Sequence, residues 1–463
     1  MRNHLSGLTL AFLALEIANI VCALPNLYRA VKQEEIVGDP GEPLFLTPLI
    51  EGNKIDEART AAEVNSSLFL GVKSFSGYFT VNDDFDSNLF FWFFPSESDY
   101  ENDPVVLWLQ GGPGATSLFG LFEEHGPFSV NDDLELELRE HSWTKSHSII
   151  YMDNPVGTGY SFSSKGGYAQ NQTQIGKELY SAVIQFFTMF PELQKNEFFV
   201  IGETYGGKYV PAVSYKILQE NPEATLKINL KGLAIGDGYS DPIHMLNYGD
   251  YLFQLGLVDS NTRQKLKENE KEVEDLLLQD QFEEANAIFD LNLSPSLFYN
   301  ATGFENYKNY LQPIDLTDDS EMEHFVQLAE IRSAIHVGSA TLNGEPVVEN
   351  LSVDIMQSVA PWISELLSHY RVLFYNGQLD IVVAYPLTVN ILQHLEFDAA
   401  EEYKIAERHI WRVDDEIAGY VKQAGNLTEV LVRNAGHMVP LNQPKWAADL
   451  ITRFTRNQSL YEH

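Results

Sequence analysis

The sequence predicts an α/β fold with a mostly parallel central sheet and a helical insertion between two of its strands. Three observations carry this. Short apolar runs recur along the chain, each followed by a glycine-bearing loop, as expected of strands buried on both faces. Helix-like segments separate several of these runs, as parallel connections require. One long stretch, 241–340, lacks such runs and reads as helical throughout.

The elements follow in chain order. Residues 1–23 read as a secretory signal peptide. Arg2 and His4 precede a mostly apolar stretch from Leu5 to Val21, and Val21-Cys22-Ala23 ends at a small residue suited to cleavage. Glu16 and Asn19 interrupt that stretch, which speaks against a permanent anchor. No later run reaches the ~20 apolar residues that span a bilayer. The α/β core is assigned to 24–240 and 341–463. Its strands are expected at Val105–Gln110, Ser148–Asp153, Phe198–Glu203, Ile228–Ile235, Arg371–Asn376 and Leu427–Arg433, with helices such as Lys177–Phe190 and Tyr209–Gln219 between them. In the 241–340 insertion, Asp259 or Ser260 can cap a helix. Leu266, Val273 and Leu277 then share a face, as do Phe282, Ala285 and Phe289. Such an insertion covers one end of the sheet as a cap, or else forms a solvated helix pair remote from any site.

Composition narrows the function. The 463 residues, 44% hydrophobic and 12% aromatic, can bury a large core. A formal net charge of −36 repels nucleic acid and anionic membranes. It suits a solvated surface, or an acidic compartment where carboxylates are partly protonated. Cys22 is the only cysteine. Cleavage after Ala23 leaves no disulfide, thiolate metal site or cysteine nucleophile. No metal or cofactor is predicted. Asn-x-Ser/Thr sequons begin at Asn65, Asn171, Asn292, Asn300, Asn350, Asn426 and Asn457. With a signal peptide they predict N-glycosylation. Asn292 is the poorest acceptor, because Pro295 follows its Ser294.

Catalytic groups of a parallel sheet gather at the carboxyl ends of its strands. Gly202-Glu203-Thr204-Tyr205-Gly206 has the frame of a nucleophile elbow with threonine in place of serine. Asp380 follows the Arg371–Asn376 strand, and His437 follows Leu427–Arg433. Alone, each reads as a cap or turn residue. Together they stand at corresponding strand ends in the order nucleophile, acid, base, the order of α/β-hydrolases. An imidazole can take a hydroxyl proton during attack and return it to the leaving group. A buried carboxylate fixes its tautomer. Glycines at 202 and 206 permit a sharp strand-to-helix turn. Gly111-Gly112-Pro113-Gly114, after another strand, lets backbone N–H groups approach a developing oxyanion.

At this point the chain resembles the serine carboxypeptidase family, closest to its vitellogenic-like and venom-type members. The resemblance runs from about Leu44 to Phe454. It is carried by Trp108–Gly114, Asp153–Ser161, Gly202–Pro211, Gly377–Asp380 and Gly436–Pro440. It implies an α/β-hydrolase fold with a helical cap, and removal of single residues from peptide C-termini. It implies that His437 is the base, that Asp380 orients it, and that Gly112 and Tyr205 N–H groups form the oxyanion hole. Gln110, Glu124 and Glu203 would grip the substrate's terminal carboxylate. Trp108 would support them, and Met438 would line the leaving-residue pocket. Two close carboxyls retain a proton that can be donated to that carboxylate, which gives an acid optimum. The resemblance places the protein in the secretory pathway, secreted or lysosomal, and allows a homodimer.

The chain departs from the family pattern at three positions. Gln110 stands where many members have asparagine, and Ala115 where many have cysteine. Thr204 replaces the serine. Its β-branch restricts χ1 and dislikes strained backbone, and an internal threonine has no terminal amine to serve as base. The expectation is a triad peptidase of reduced activity. The alternatives are a pseudoenzyme that binds peptide C-termini and an acyltransferase, the latter disfavoured by the retained carboxylate grip.

Overall fold

The computed structural model describes residues 34–293, 297–315 and 320–461. The signal-peptide expectation lies outside the described residues. The strands used below are β1 (Phe75–Asn82), β2 (Ser87–Phe94), β3 (Val105–Leu109), β4 (Ser148–Met152), β5 (Phe198–Glu203), β6 (Leu230–Gly236), β7 (Arg371–Gly377), β8 (His409–Val413), β9 (Glu416–Ala424) and β10 (Leu427–Val432). They lie in one sheet in the order β1-β2-β4-β3-β5-β6-β7-β10-β9-β8, and Phe162–Ser163 adds a short strand beside β2. The central run from β4 to β10 is parallel. Both edges are antiparallel.

Alternation along the strands explains the two cores. Val105, Leu107 and Leu109 point into one apolar cluster with Ile175, Leu179 and Phe186 of helix α1 (Gln172–Met189) and Val210 of helix α2 (Gly206–Glu220). Val106 and Trp108 point into the other, which holds Leu450, Ile451 and Phe454 of the C-terminal helix. Layers on both faces explain why β3 and β5 are apolar without interruption.

The six expected strands are present with shifts of one or two residues at their ends. The edge strands β1, β2, β8 and β9 were not anticipated. Ser87–Phe94 is buried along its whole length, so it shows no alternation, and no glycine loop follows it.

Between β6 and β7 the described residues form helices and loops, the last helix being Ala360–Leu367. Helix α3 (Tyr248–Gln254) leads into α4 (Ser260–Leu277), capped by Asp259 accepting from Thr262 N, and α5 (Phe282–Leu293). Leu266, Val273, Leu277, Ala285 and Phe289 are buried. The insertion touches the loops at the carboxyl edge of the sheet. The Tyr251 hydroxyl donates to Asp380 O at 2.7 Å, Tyr310 N to Leu379 O at 3.0 Å, and His437 N to Lys308 O at 2.7 Å.

Among the sequons, Asn65, Asn171, Asn300, Asn426 and Asn457 are exposed and Asn350 is half-buried. Asn292 is fully buried, with its Oδ1 accepting from Asn269. A glycan on Asn292 would have to displace this packing, so it is the least accessible of the seven sequons. Glycopeptide mapping is expected to find Asn292 unmodified; occupancy there would contradict the buried position.

Candidate active site

Three loops bring the sequence-predicted triad together. Thr204 ends the β5 turn, Asp380 follows β7 and His437 follows β10. The Thr204 hydroxyl lies 2.5 Å from His437 Nε2, and His437 Nδ1 lies 2.9 Å from Asp380 Oδ2. Asp380 also accepts from Val382 N at 3.0 Å and Val383 N at 3.1 Å, which fixes the carboxylate plane. All three side chains are fully buried. With Nδ1–H given to Asp380, Nε2 is left to accept from Thr204.

The elbow is tight because its glycines allow a close approach to the neighbouring strand. Gly202 and Gly206 are glycines because a Cβ on either would lie 2.6 or 2.9 Å from Leu109 O. Neither has a left-handed backbone; Thr204 itself does, at φ +58°, where a β-branched residue is strained. Gly111 is closer still, because its Cβ would meet Tyr205 N at 2.4 Å and Glu203 O at 2.5 Å. This approach sets the oxyanion loop against the elbow. Among the described residues, the Gly112 and Tyr205 N–H groups meet no backbone acceptor, so both can face an oxyanion. The Tyr205 hydroxyl is held by Asp354 at 2.5 Å. Buried Lys208 ties the same segment through the carbonyls of Asp354, Ile355 and Gln357.

Beside the elbow, Gln110, Glu124 and Glu203 form one buried group. Trp108 Nε1 donates to Gln110 Oε1 at 2.9 Å, which fixes the amide orientation. Gln110 Nε2 then donates to Glu124 Oε1 at 3.2 Å and Glu203 Oε1 at 3.1 Å. Glu124 and Glu203 are hydrogen-bonded to each other, and their Oε2 atoms accept from no N–H or O–H among the described residues. Trp108 is fully buried and reaches the group through Gln110; Met438 is also buried, next to His437 in the chain. A π-helical turn at Gly120–Glu124 turns Glu124 inward, while Glu123 faces outward to Ser320. Burial pushes Glu124 up to about 7. Burial, then repulsion from Glu124 and Asp237, holds Glu203 well above the carboxylate range. The pair therefore keeps a proton at weakly acid pH.

Asp237 was missed. It follows β6 in Gly236-Asp237-Gly238, so the same strand-end rule applied to that strand would have found it. It is fully buried at φ +41°.

These carboxyls set the pH dependence of stability. Burial raises Glu270 to about 7 and Asp153 to about 6, alongside Glu124, Glu203 and Asp237. Each binds its proton more tightly folded than unfolded, so unfolding releases protons and rising pH favours it. Burial holds His125 well below the usual imidazole range and His147 at about 3. Their opposing effect destabilises the fold as pH falls below about 6.5. Tm is expected to peak near pH 5 and to fall by roughly 3 °C or more by pH 8. Calorimetry across that range checks it, and a Tm that rises towards pH 8 would contradict the assigned protonation.

A mostly parallel sheet with helices on both faces, a hydroxyl after β5, a carboxylate after β7 and an imidazole after β10, defines an α/β-hydrolase fold. The structure resembles the crystal structure of Kex1(delta)p, a prohormone-processing carboxypeptidase from Saccharomyces cerevisiae. The TM-score is 0.75 at 23% identity, covering 86% of this chain and 96% of that one. This likeness bears on the fold alone. The serine carboxypeptidase family model matches residues 65–457, and the chain belongs to that family. It is 54% identical over 430 residues to the venom serine carboxypeptidase of Apis mellifera (91% of this chain, 92% of that protein). It is 50% identical over 446 residues to the vitellogenic carboxypeptidase of Aedes aegypti (94% of each). It is 46% identical over 441 residues to the probable serine carboxypeptidase CPVL of Homo sapiens (93% and 92%). No helix among the described residues is long and apolar enough to cross a membrane.

Proposed function

We propose that this chain is a secretory-pathway glycoprotein that removes C-terminal residues from peptides, with Thr204 as a slow nucleophile. The observation that best supports this is the 2.5 Å contact between Thr204 and His437 beside the buried Glu124–Glu203 pair. The names of its venom, vitellogenic and CPVL relatives agree with a peptidase of the secretory pathway.

The steps follow from the geometry. The substrate carboxylate accepts from the proton-bearing Glu124–Glu203 pair, which places the last peptide bond at Thr204. His437 Nε2 takes the Thr204 proton as Oγ1 attacks the carbonyl carbon. The Gly112 and Tyr205 N–H groups hold the oxyanion. His437 then protonates the leaving nitrogen, the C–N bond breaks, and the C-terminal amino acid departs. Water, deprotonated by His437, cleaves the acyl-threonine ester and restores the hydroxyl.

One observation favours a second reading. Thr204 sits at φ +58°, and a strained β-branched nucleophile that never reaches the carbonyl would leave a binder of peptide C-termini with the same grip.

The test compares an N-blocked dipeptide with its C-terminal amide between about pH 4 and pH 7. The free acid is expected to turn over at least about 10-fold faster at pH 5, with the preference fading towards pH 7 as the carboxyl pair loses its proton. In Glu124→Gln, which removes the neighbouring charge that helps Glu203 hold its proton, the alkaline fall should move downward by about one pH unit. Equal use of acid and amide at every pH would count against the carboxylate grip. Binding of the free acid without turnover would favour the second reading.

A further inference from the structure

Asp237 lies where no solvated carboxylate would be expected. Its Oδ1 accepts from Gly377 N at 2.9 Å and Asn376 Nδ2 at 3.3 Å, while its Oδ2 has no donor and is fully buried. Asp237, Asp380 and His437 each place a side-chain polar atom within 4.8 Å of the other two. Asp237 is hydrogen-bonded to Asp380 itself.

The titratable groups facing Asp237 are all acidic or neutral apart from the imidazole. Asp380 and His437 face it from the loops after β7 and β10, Glu203 from β5, Tyr375 from β7 and Tyr251 from α3. No lysine or arginine is among them. Two ionised carboxylates in contact, buried and without a cation, repel each other strongly. A proton between them removes the conflict and turns Asp237 into a hydrogen-bond donor.

We propose that Asp237 is a positioning residue that keeps a proton and donates it to Asp380, so that the triad's acid is one member of a carboxyl pair. Burial first, then the Asp380 charge, holds the Asp237 carboxyl well above its usual range, in keeping with this. The donated hydrogen bond draws charge from Asp380 and weakens its hold on the imidazolium. The proposal rests on the triad reading but not on peptide substrates.

Two measurements test it. The first needs no turnover: the infrared carbonyl band of a protonated carboxyl, taken as the difference between native protein and Asp237→Asn at pH 6–7. A band present in native protein and missing in the variant is expected. No difference would mean that Asp237 is ionised, and would overturn the proposal.

The second is the pH–rate profile of the Thr204→Ser form on an N-blocked amino-acid ester, which has no terminal carboxylate for Glu124 and Glu203 to grip. In that background Asp237→Asn keeps both the donor and the Gly377 acceptor, so its profile should match its parent within about 3-fold. Asp237→Leu keeps neither, and its acid limb should move up by about one unit, giving about 10-fold less activity at pH 5 but convergence near pH 7. A loss equal at all pH values, or equal in the Asn and Leu variants, would mark a merely structural residue. Ester turnover without peptide turnover would sink the carboxypeptidase reading while leaving this one standing.

Discussion

Thr204→Ser is expected to raise kcat for C-terminal hydrolysis by about 10-fold to 10,000-fold, with KM little changed. The lower bound reflects the hydroxyl's good aim, 2.5 Å from His437 Nε2. The upper bound stays below complete loss of a triad nucleophile, roughly a million-fold. Between them lies the methyl group. Thr204 is fully buried in left-handed backbone, against the Gly111 turn. Its χ1 therefore has little freedom to follow the carbonyl into the tetrahedral state. Misplacement of the hydroxyl by ~1 Å would suffice for about 100-fold. KM should hardly move, because Gln110, Glu124 and Glu203 are untouched. Steady-state kinetics of the two forms on one blocked dipeptide checks this; equal kcat would show that the methyl is harmless.

Gly111→Ala carries the second large effect, a fall in kcat of about 100- to 1,000-fold, measured in the Thr204→Ser background so that the loss can be followed. The added Cβ would lie 2.4 Å from Tyr205 N, 2.5 Å from Glu203 O and 2.7 Å from Thr204 Cβ. All three are held in the elbow and cannot yield as a flexible side chain would. The loop must back away, separating the Gly112 and Tyr205 N–H groups that face the oxyanion. Ground-state binding depends on other residues, so KM should change by less than about 10-fold. Undiminished kcat would show that the two donors do not act together.

What was legible in the sequence follows from how each feature is encoded. Strands β3, β5, β7 and β10 are apolar runs ending in glycine loops, so both the strands and the residues at their ends could be read. Strand β2 is as deeply buried as β3, but it returns antiparallel from a hairpin and lacks that ending. The triad residues were found because each stands one turn beyond a strand. Asp237 stands in the same place beyond β6, yet Gly-Asp-Gly also spells a tight turn, and its second meaning appears only when β7 is laid beside β6. Glu124 is one of two adjacent acids in the sequence. Only the π-turn at Gly120–Glu124, where Gly120 packs against Trp108, decides which of the two turns inward. Lys208 gave no signal, because a lysine on the first turn of a helix ordinarily faces water; here it is buried against three carbonyls.

Thr204 is the proposed nucleophile. The most direct measurement is release of the free C-terminal amino acid from an N-blocked dipeptide at about pH 5, by native protein and by Thr204→Ala purified in parallel. Slow release by the native protein, and none above background by the alanine form, is the predicted result. Equal release by both, or none by either, would contradict it.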